Sequence, residues 1–254
     1  MNSWLGRKDG PRIAAVVTLA DPCVTEMMGA ADVDLLIVDM EHAPISEREL
    51  EGMLIAAASV RKPVLVRVVE NNPTPIKRVI DTGVDGIIVP NVSSPAAARA
   101  AVASVRYPPL GVRGYGPRRA GAYGQEGLDY TRRSDTDLLL VVQIEDIGAV
   151  RVASEIVAVP GVGGVMLGPN DLSASMGVLG QIEHPDVLRA VESVIAVCQA
   201  AGVPVGCGGY FGDVAHRLIR LGIDFVTAGG DIWFMRQELE HSITTLRQVQ
   251  HQAV

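Results

Sequence analysis

Short runs of Val, Ile, Leu and Ala alternate with amphipathic stretches from one end of the chain to the other. The pattern predicts strands over 13–20, 35–40, 64–68, 86–89, 138–144, 164–167, 203–206 and 225–228. Helices are expected between them over 24–31, 75–82, 96–106, 149–158, 185–201, 214–221 and 232–249, with one more opening at Ser46. There Ser46 and Glu49 have the spacing of a capping box, and Gly83 is placed to stop the helix before it. The strands are apolar throughout instead of alternating, as parallel strands covered on both faces are. Eight strand–helix units in one chain predict an α/β fold, a (β/α)8 TIM barrel formed by residues 1–254 as a single domain. An open doubly wound sheet would need a glycine-rich turn after its first strand, and here that turn reads Asp21-Pro22-Cys23. The one long irregular stretch, 107–124, carries Gly111, Gly114, Gly116, Gly121 and Gly124 with Arg113, Arg118 and Arg119. A loop of that length inside a barrel is functional or mobile.

Composition narrows the function classes. In 254 residues, Lys+Arg 22 against Asp+Glu 29 leave a net charge of -7, which argues against a nucleic-acid surface. Hydrophobic residues make up 48% and aromatics only 4%, so the core is aliphatic, and a mean hydropathy of +0.26 excludes a disordered chain. Cys23, Cys198 and Cys207 are too far apart for a zinc site or a disulfide framework. No apolar run is long enough for a membrane span, and Met1 to Pro11 lacks a signal-peptide core, so a cytoplasmic protein is expected.

A barrel of this kind works at the C-terminal ends of its strands. Those positions carry Asp39, Glu41 and His42, then Arg67 and Glu70, then Gln143, Glu145 and Asp146. Gly168, Pro169, Asn170 and Asp171, then Cys207 and Asp231, complete the set. Imine chemistry needs a lysine in the mouth. Lys62 precedes a strand at the opposite face, Lys77 lies on a helix, and Lys8 belongs to the N-terminal arm. Cys207 reads as an apolar wall residue and not as a nucleophile. Glu145 and Asp171 close neighbouring strands and suit a hard divalent cation, although either could be a solvated loop acid or a helix cap. His42 is the one histidine of five at a strand end: a general base, or a hydrogen-bonded loop anchor. Arg67 ends a buried strand and needs an anion there, supplied by Glu41, by Glu70 or by a substrate carboxylate.

Several segments carry a resemblance in order along nearly the whole chain. They are Ile37-Val38-Asp39-Met40-Glu41-His42-Ala43-Pro44, Val66-Arg67, the run 76–83, Val89-Pro90, Arg106-Tyr107-Pro108-Pro109, Gln143-Ile144-Glu145, and Gly168-Pro169-Asn170-Asp171-Leu172-Ser173. The set resembles the HpcH/HpaI family of class II, metal-dependent pyruvate aldolases, of the 4-hydroxy-2-oxoheptanedioate and 2-dehydro-3-deoxyglucarate aldolase kind. The resemblance implies reversible cleavage of a 4-hydroxy-2-oxo acid to pyruvate, or a related 2-oxo acid, and an aldehyde. It implies a divalent metal (Mg2+, Mn2+ or Co2+) on Glu145 and Asp171, with His42 as proton acceptor and Arg67 stabilising the enolate. Gln143 and the segment Gly168, Pro169, Asn170, Asp171 would bind substrate, and Asp81 would raise the basicity of the histidine. It implies a homohexamer, a trimer of dimers, with the helix 232–249 packed on a neighbouring subunit. The departure is the loop Gly114-Tyr115-Gly116-Pro117-Arg118-Arg119-Ala120, where many family aldolases have a Gly-Val-Gly tract and an Arg-Ala-Ser run. Arg118 and Arg119 on it are expected to face the mouth and select the aldehyde, or else to form surface or inter-subunit ion pairs. Two other functions stay open: a citrate-forming condensation with acetyl-CoA, and a non-catalytic binding barrel.

Overall fold

A computed structural model describes residues 4–6 and 9–252; Lys8, assigned above to the N-terminal arm, lies outside the described residues. Eight parallel strands close into a barrel in sequence order: β1 (Arg12–Val17), β2 (Leu35–Asp39), β3 (Val64–Arg67), β4 (Gly86–Val89), β5 (Leu139–Ile144), β6 (Gly164–Leu167), β7 (Val205–Cys207) and β8 (Phe225–Gly230). Around them run α1 (Pro22–Ala30), α2 (Glu47–Ser59), α3 (Pro73–Asp81), α4 (Pro95–Val105), α5 (Leu128–Asp137), α6 (Ile147–Arg151), α7 (Ala153–Val157), α8 (Pro169–Ser175), α9 (Pro185–Ala201), α10 (Gly212–Arg220) and α11 (Asp231–Gln252). The expected (β/α)8 barrel is therefore the fold.

Local signals set many of the boundaries. Ser46 and Glu49 form the capping box at the start of α2, and Asn72, Ser94 and Asp146 cap the helices that follow them. Gly83, at φ 86°, ends the turn after α3 in a conformation that side chains resist. Three elements depart from the sequence reading. The helix expected over 149–158 is two short ones, because Val152 sits outside helical geometry (φ -112°, ψ 17°) between them. The glycine-rich loop ends in a 3-10 turn, Arg119–Gly124, and is followed by α5. Helix α8 begins directly at the end of β6.

Two layers of apolar side chains hold the barrel. Every residue of β2, β4 and β5 is buried, and the larger core lies between strands and helices. Inside the barrel Ile37, Leu65, Ile88, Val141 and Phe225 meet Leu5 from the N-terminal segment. Gly206 makes room for the ring of Phe225, because a Cβ there would lie 2.2 Å from it. Asp231, one of the acids expected at the mouth, instead accepts hydrogen bonds from Thr18 and Leu19 and ties α11 to the end of β1. Among the described residues no helix is long and apolar enough to cross a membrane.

Candidate active site

The C-terminal ends of the strands surround a cavity of about 450 Å³ whose wall includes Asp39, His42, Arg67, Gln143, Asn170 and Asp171. Strand register brings the first pair together. Asp39 and Arg67 are direct partners across β2 and β3. Arg67 donates from Nε to Asp39 Oδ1 (2.9 Å) and from Nη2 to Oδ2 (2.6 Å), and its Nη1 lies 3.3 Å from Glu41 Oε2. Glu41, one of the expected partners, is thus found beside it. Glu70 is exposed and makes no ion pair with Arg67. Asp39 was missed as the principal partner, and matching the ends of adjacent strands would have found it.

The pairing sets the direction of shift for Asp39 and Arg67, and burial sets it for Glu41. Burial pushes Asp39 up, but the hydrogen bonds and charge of Arg67 outweigh it and hold the carboxyl below its ordinary value. Burial works against the charged guanidinium as well, and the hydrogen bonds and charge of Asp39 more than restore it. Glu41 is raised by burial despite the charge of Arg67. His42 follows on the same loop, its side chain 63% exposed and its Nε2 3.7 Å from Glu41 Oε2. Its backbone N–H donates to Asp39 Oδ1. The loop is anchored through its backbone, which leaves the imidazole open to solvent.

On the opposite wall β5 presents Gln143, and Glu145 follows directly after the strand, on a neighbouring pocket with Asn91 and Asp146; both side chains are nearly fully buried. Glu145 Oε1 accepts from the backbone N–H of Asn91 (2.7 Å), and its Oε2 accepts from Gln143 Nε2. Burial, reinforced by the charge of Asp171, raises the Glu145 carboxyl in spite of those bonds. Gln143 Oε1 is buried without a partner. Gly168 closes β6 against this pair: a Cβ there would lie 2.6 Å from Glu145 Oε2 and 3.0 Å from Gln143 Nε2. Pro169 opens α8, and Asn170 and Asp171 stand exposed in its first turn.

Among the described residues no group of three His, Cys, Asp or Glu could hold a metal. Glu145 and Asp171 are instead two hard oxygen donors close enough to repel each other, and only a glycine at position 168 leaves the Glu145 carboxylate its place. The acids Asp39, Glu41, Glu145 and Asp171 outnumber Arg67, so an anionic substrate would meet net negative charge. A divalent cation with open positions fits this donor set. Cys207 is buried behind the site, its thiol pushed up to about 12 by burial, as suits a wall residue.

Asp81 does not line this cavity. It ends α3, where Arg113 Nη2 meets its Oδ1 at 2.7 Å, and it opens on a separate cleft with Ser46, Glu47, Arg78 and Arg118. The cationic partner that a carboxylate in a last turn needs is therefore Arg113. Arg119 corrects a second expectation. It donates to the carbonyls of Thr82 and Gly83 and, with Arg133 and Asp85, lines a cavity at the N-terminal end of β4. That is the end of the barrel opposite the mouth. The loop packs along α3 and α5 and does not close over the cavity of its own chain.

Residues 12–229 match the family model described as HpcH/HpaI aldolase/citrate lyase. The chain belongs to that family. A Pseudomonas putida relative, 2-dehydro-3,6-dideoxy-6-sulfogluconate aldolase, is 35% identical over 90% of this chain and 89% of its own length. A 5-keto-4-deoxy-D-glucarate aldolase of Salmonella arizonae is 38% identical over 86% of this chain and 85% of its own. The crystal structure of a family protein from Burkholderia cenocepacia superposes with a TM-score of 0.90 at 32% identity, covering 96% of this chain and 97% of that one. Membership of the family agrees with the motifs read from the sequence.

Proposed function

We propose that the protein is a divalent-metal-dependent aldolase that reversibly cleaves a 4-hydroxy-2-oxo acid to pyruvate, or a related 2-oxo acid, and an aldehyde. The observation that carries this reading is the meeting of His42, the Asp39-bound Arg67, Gln143 and Asp171 around one cavity, with Glu145 held directly behind that wall by Gln143. The two relatives named as aldolases support it, and the sugar acids in their names are the first substrates to try.

Glu145 and Asp171 would hold Mg2+, Mn2+ or Co2+. Such an ion supplies Lewis-acid stabilisation of the enolate charge that develops as the carbon–carbon bond breaks. Arg67, kept charged and oriented by Asp39, would share that charge at the keto oxygen. Gln143 and the backbone of Gly168, Pro169 and Asn170 would orient the 2-oxo acid. The His42 imidazole would take the 4-hydroxyl proton during cleavage and return it during condensation. Asp81 would support this histidine across a subunit boundary, since in its own chain it opens on a different cleft.

That arrangement agrees with a homohexamer, a trimer of dimers. Exposed Ile232, Met235, Leu239, Ile243 and Leu246 along one side of α11 give a neighbouring copy an apolar face to cover. Three free cysteines suit a cytoplasmic location.

The test is condensation of pyruvate with a panel of aldehydes in the presence of Mn2+, followed by NMR. Product formation that stops on chelation is expected. Turnover unchanged after exhaustive chelation would remove the metal from the mechanism, and no product with any aldehyde would overturn the aldolase reading.

A further inference from the structure

Arg113 is among the largest fully buried side chains of the molecule, yet it lies in the glycine-rich loop and not in a core element. Its Nη2 donates to Asp81 Oδ1 (2.7 Å) and to the Tyr130 hydroxyl (3.1 Å). Its Cζ stands 4.5 Å from the centre of the Tyr107 ring and 5.5 Å from that of Tyr130. Nε and Nη1 are buried without a hydrogen-bond partner. An aliphatic side chain would fill such a space at lower cost, because a guanidinium taken out of water needs all its donors matched.

The backbone is built to deliver this side chain. Val112 and Arg113 donate their N–H groups to the carbonyls of Ala103 and Arg106, strapping the loop to the end of α4. Gly111 makes that approach possible, since a Cβ there would lie 2.3 Å from the Ala103 carbonyl oxygen. What the arrangement secures is Asp81, whose side chain is 16% exposed and opens on a cleft of about 560 Å³. Lys77 and Arg78 of α3, Glu47, Arg48 and Glu51 of α2, and Arg118 of the loop are the other charged groups around that carboxylate.

We infer that Arg113 is the positioning residue for Asp81: held against the Tyr107 and Tyr130 rings, it fixes one carboxylate oxygen and leaves the group facing the cleft, where His42 of a second copy would meet it. The inference rests on the reading of Asp81 given above. It has an electrostatic side as well. Burial pushes the Asp81 carboxyl up and Arg113 pulls it back down, so loss of Arg113 leaves a carboxyl that ionises only at higher pH.

Four variants test it with pyruvate and the aldehyde returned by the condensation screen: Asp81→Asn, Arg113→Gln, Arg113→Lys, and the Asp81→Asn, Arg113→Gln double variant. The two single neutral variants should each lower kcat by roughly 10- to 100-fold, with little change in the KM for pyruvate. The double variant should be no slower than the poorer single, as for two groups acting through one effect. Arg113→Lys should recover part of the loss, returning the charge without the fork. Raising the pH should shrink the deficit of Arg113→Gln and leave that of Asp81→Asn. A double variant whose loss is the product of the two singles would overturn the inference, as would wild-type kcat in Arg113→Gln beside an impaired Asp81→Asn. Wild-type kcat in Asp81→Asn would overturn the reading of Asp81 itself, and a screen that returns no aldehyde would overturn the functional reading; Arg113 falls with either. Should Arg113→Gln fail to fold, Arg113→Lys decides: its expected fall in kcat must vanish in the Asp81→Asn background, and wild-type kcat in Arg113→Lys refutes the assignment.

Discussion

Gly168→Ala adds a single methyl group at the point where β6 meets the Gln143–Glu145 pair. The backbone there (φ -104°, ψ 84°) has negative φ, so the effect is one of space, not of left-handed strain. The new Cβ would lie 2.6 Å from Glu145 Oε2 and 2.8 Å from Glu145 Cβ, where ordinary contact begins at 3.4 Å. The oxygen must retreat by roughly 0.8 Å, and the Cβ limits how far rotation alone can take it. Gln143 Nε2, at 3.0 Å, must follow its hydrogen-bond partner. Overpacking of this size costs about 1–3 kcal/mol, which for a domain of this length lowers Tm by roughly 2–12 °C. The functional loss should be larger, because the displaced oxygen belongs to a carboxylate assigned to the metal. Moving a metal-site group by an ångström typically costs on the order of 10- to 100-fold in affinity or activity. Thermal melts and Mn2+ titration calorimetry on the wild-type and variant chains separate the two effects. A Gly168→Ala protein that melts lower but binds Mn2+ with wild-type affinity would refute the placement of the ion beside Glu145.

Three further outcomes follow from the same geometry. His42→Ala should lower kcat by roughly 10²–10⁴ with Mn2+ affinity retained, since its exposed imidazole is assigned a proton and no metal bond; wild-type kcat would make it a loop anchor. Burial raises Glu41 and Glu145, so the folded chain loses stability as pH rises through their folded pKa values, and a cation on the ionised site offsets that loss. The rise in Tm on adding saturating Mn2+ should therefore be larger at pH 8 than at pH 5.5, by differential scanning fluorimetry, and the reverse order would contradict the carboxylate site. Light scattering at micromolar concentration should give a hexamer, and a monomer would leave the apolar face of α11 without its proposed cover.

Much of the barrel was legible because its signals are local. Apolar runs without alternation mark strands covered on both faces, and the Ser46–Glu49 box and Gly83 act within a few residues of themselves. Strand ends were legible for the same reason, and in this fold they bring His42, Arg67, Gln143 and Asp171 to one cavity, with Glu145 beside it. Partnership was not. Whether Arg67 meets Asp39, Glu41 or Glu70 depends on the register of β2 against β3, a relation between segments 28 residues apart. The path of the glycine-rich loop was hidden for a related reason. Glycines permit many routes, and only its packing on α3 and α4 sends Arg113 to Asp81 and Arg119 to the far end of the barrel. The sequence by itself determined the elements and which residues stand at their ends, because those depend on neighbours along the chain. Tertiary structure decided which charges pair, because burial makes an unpaired charge costly and selects among partners that only folding brings within reach.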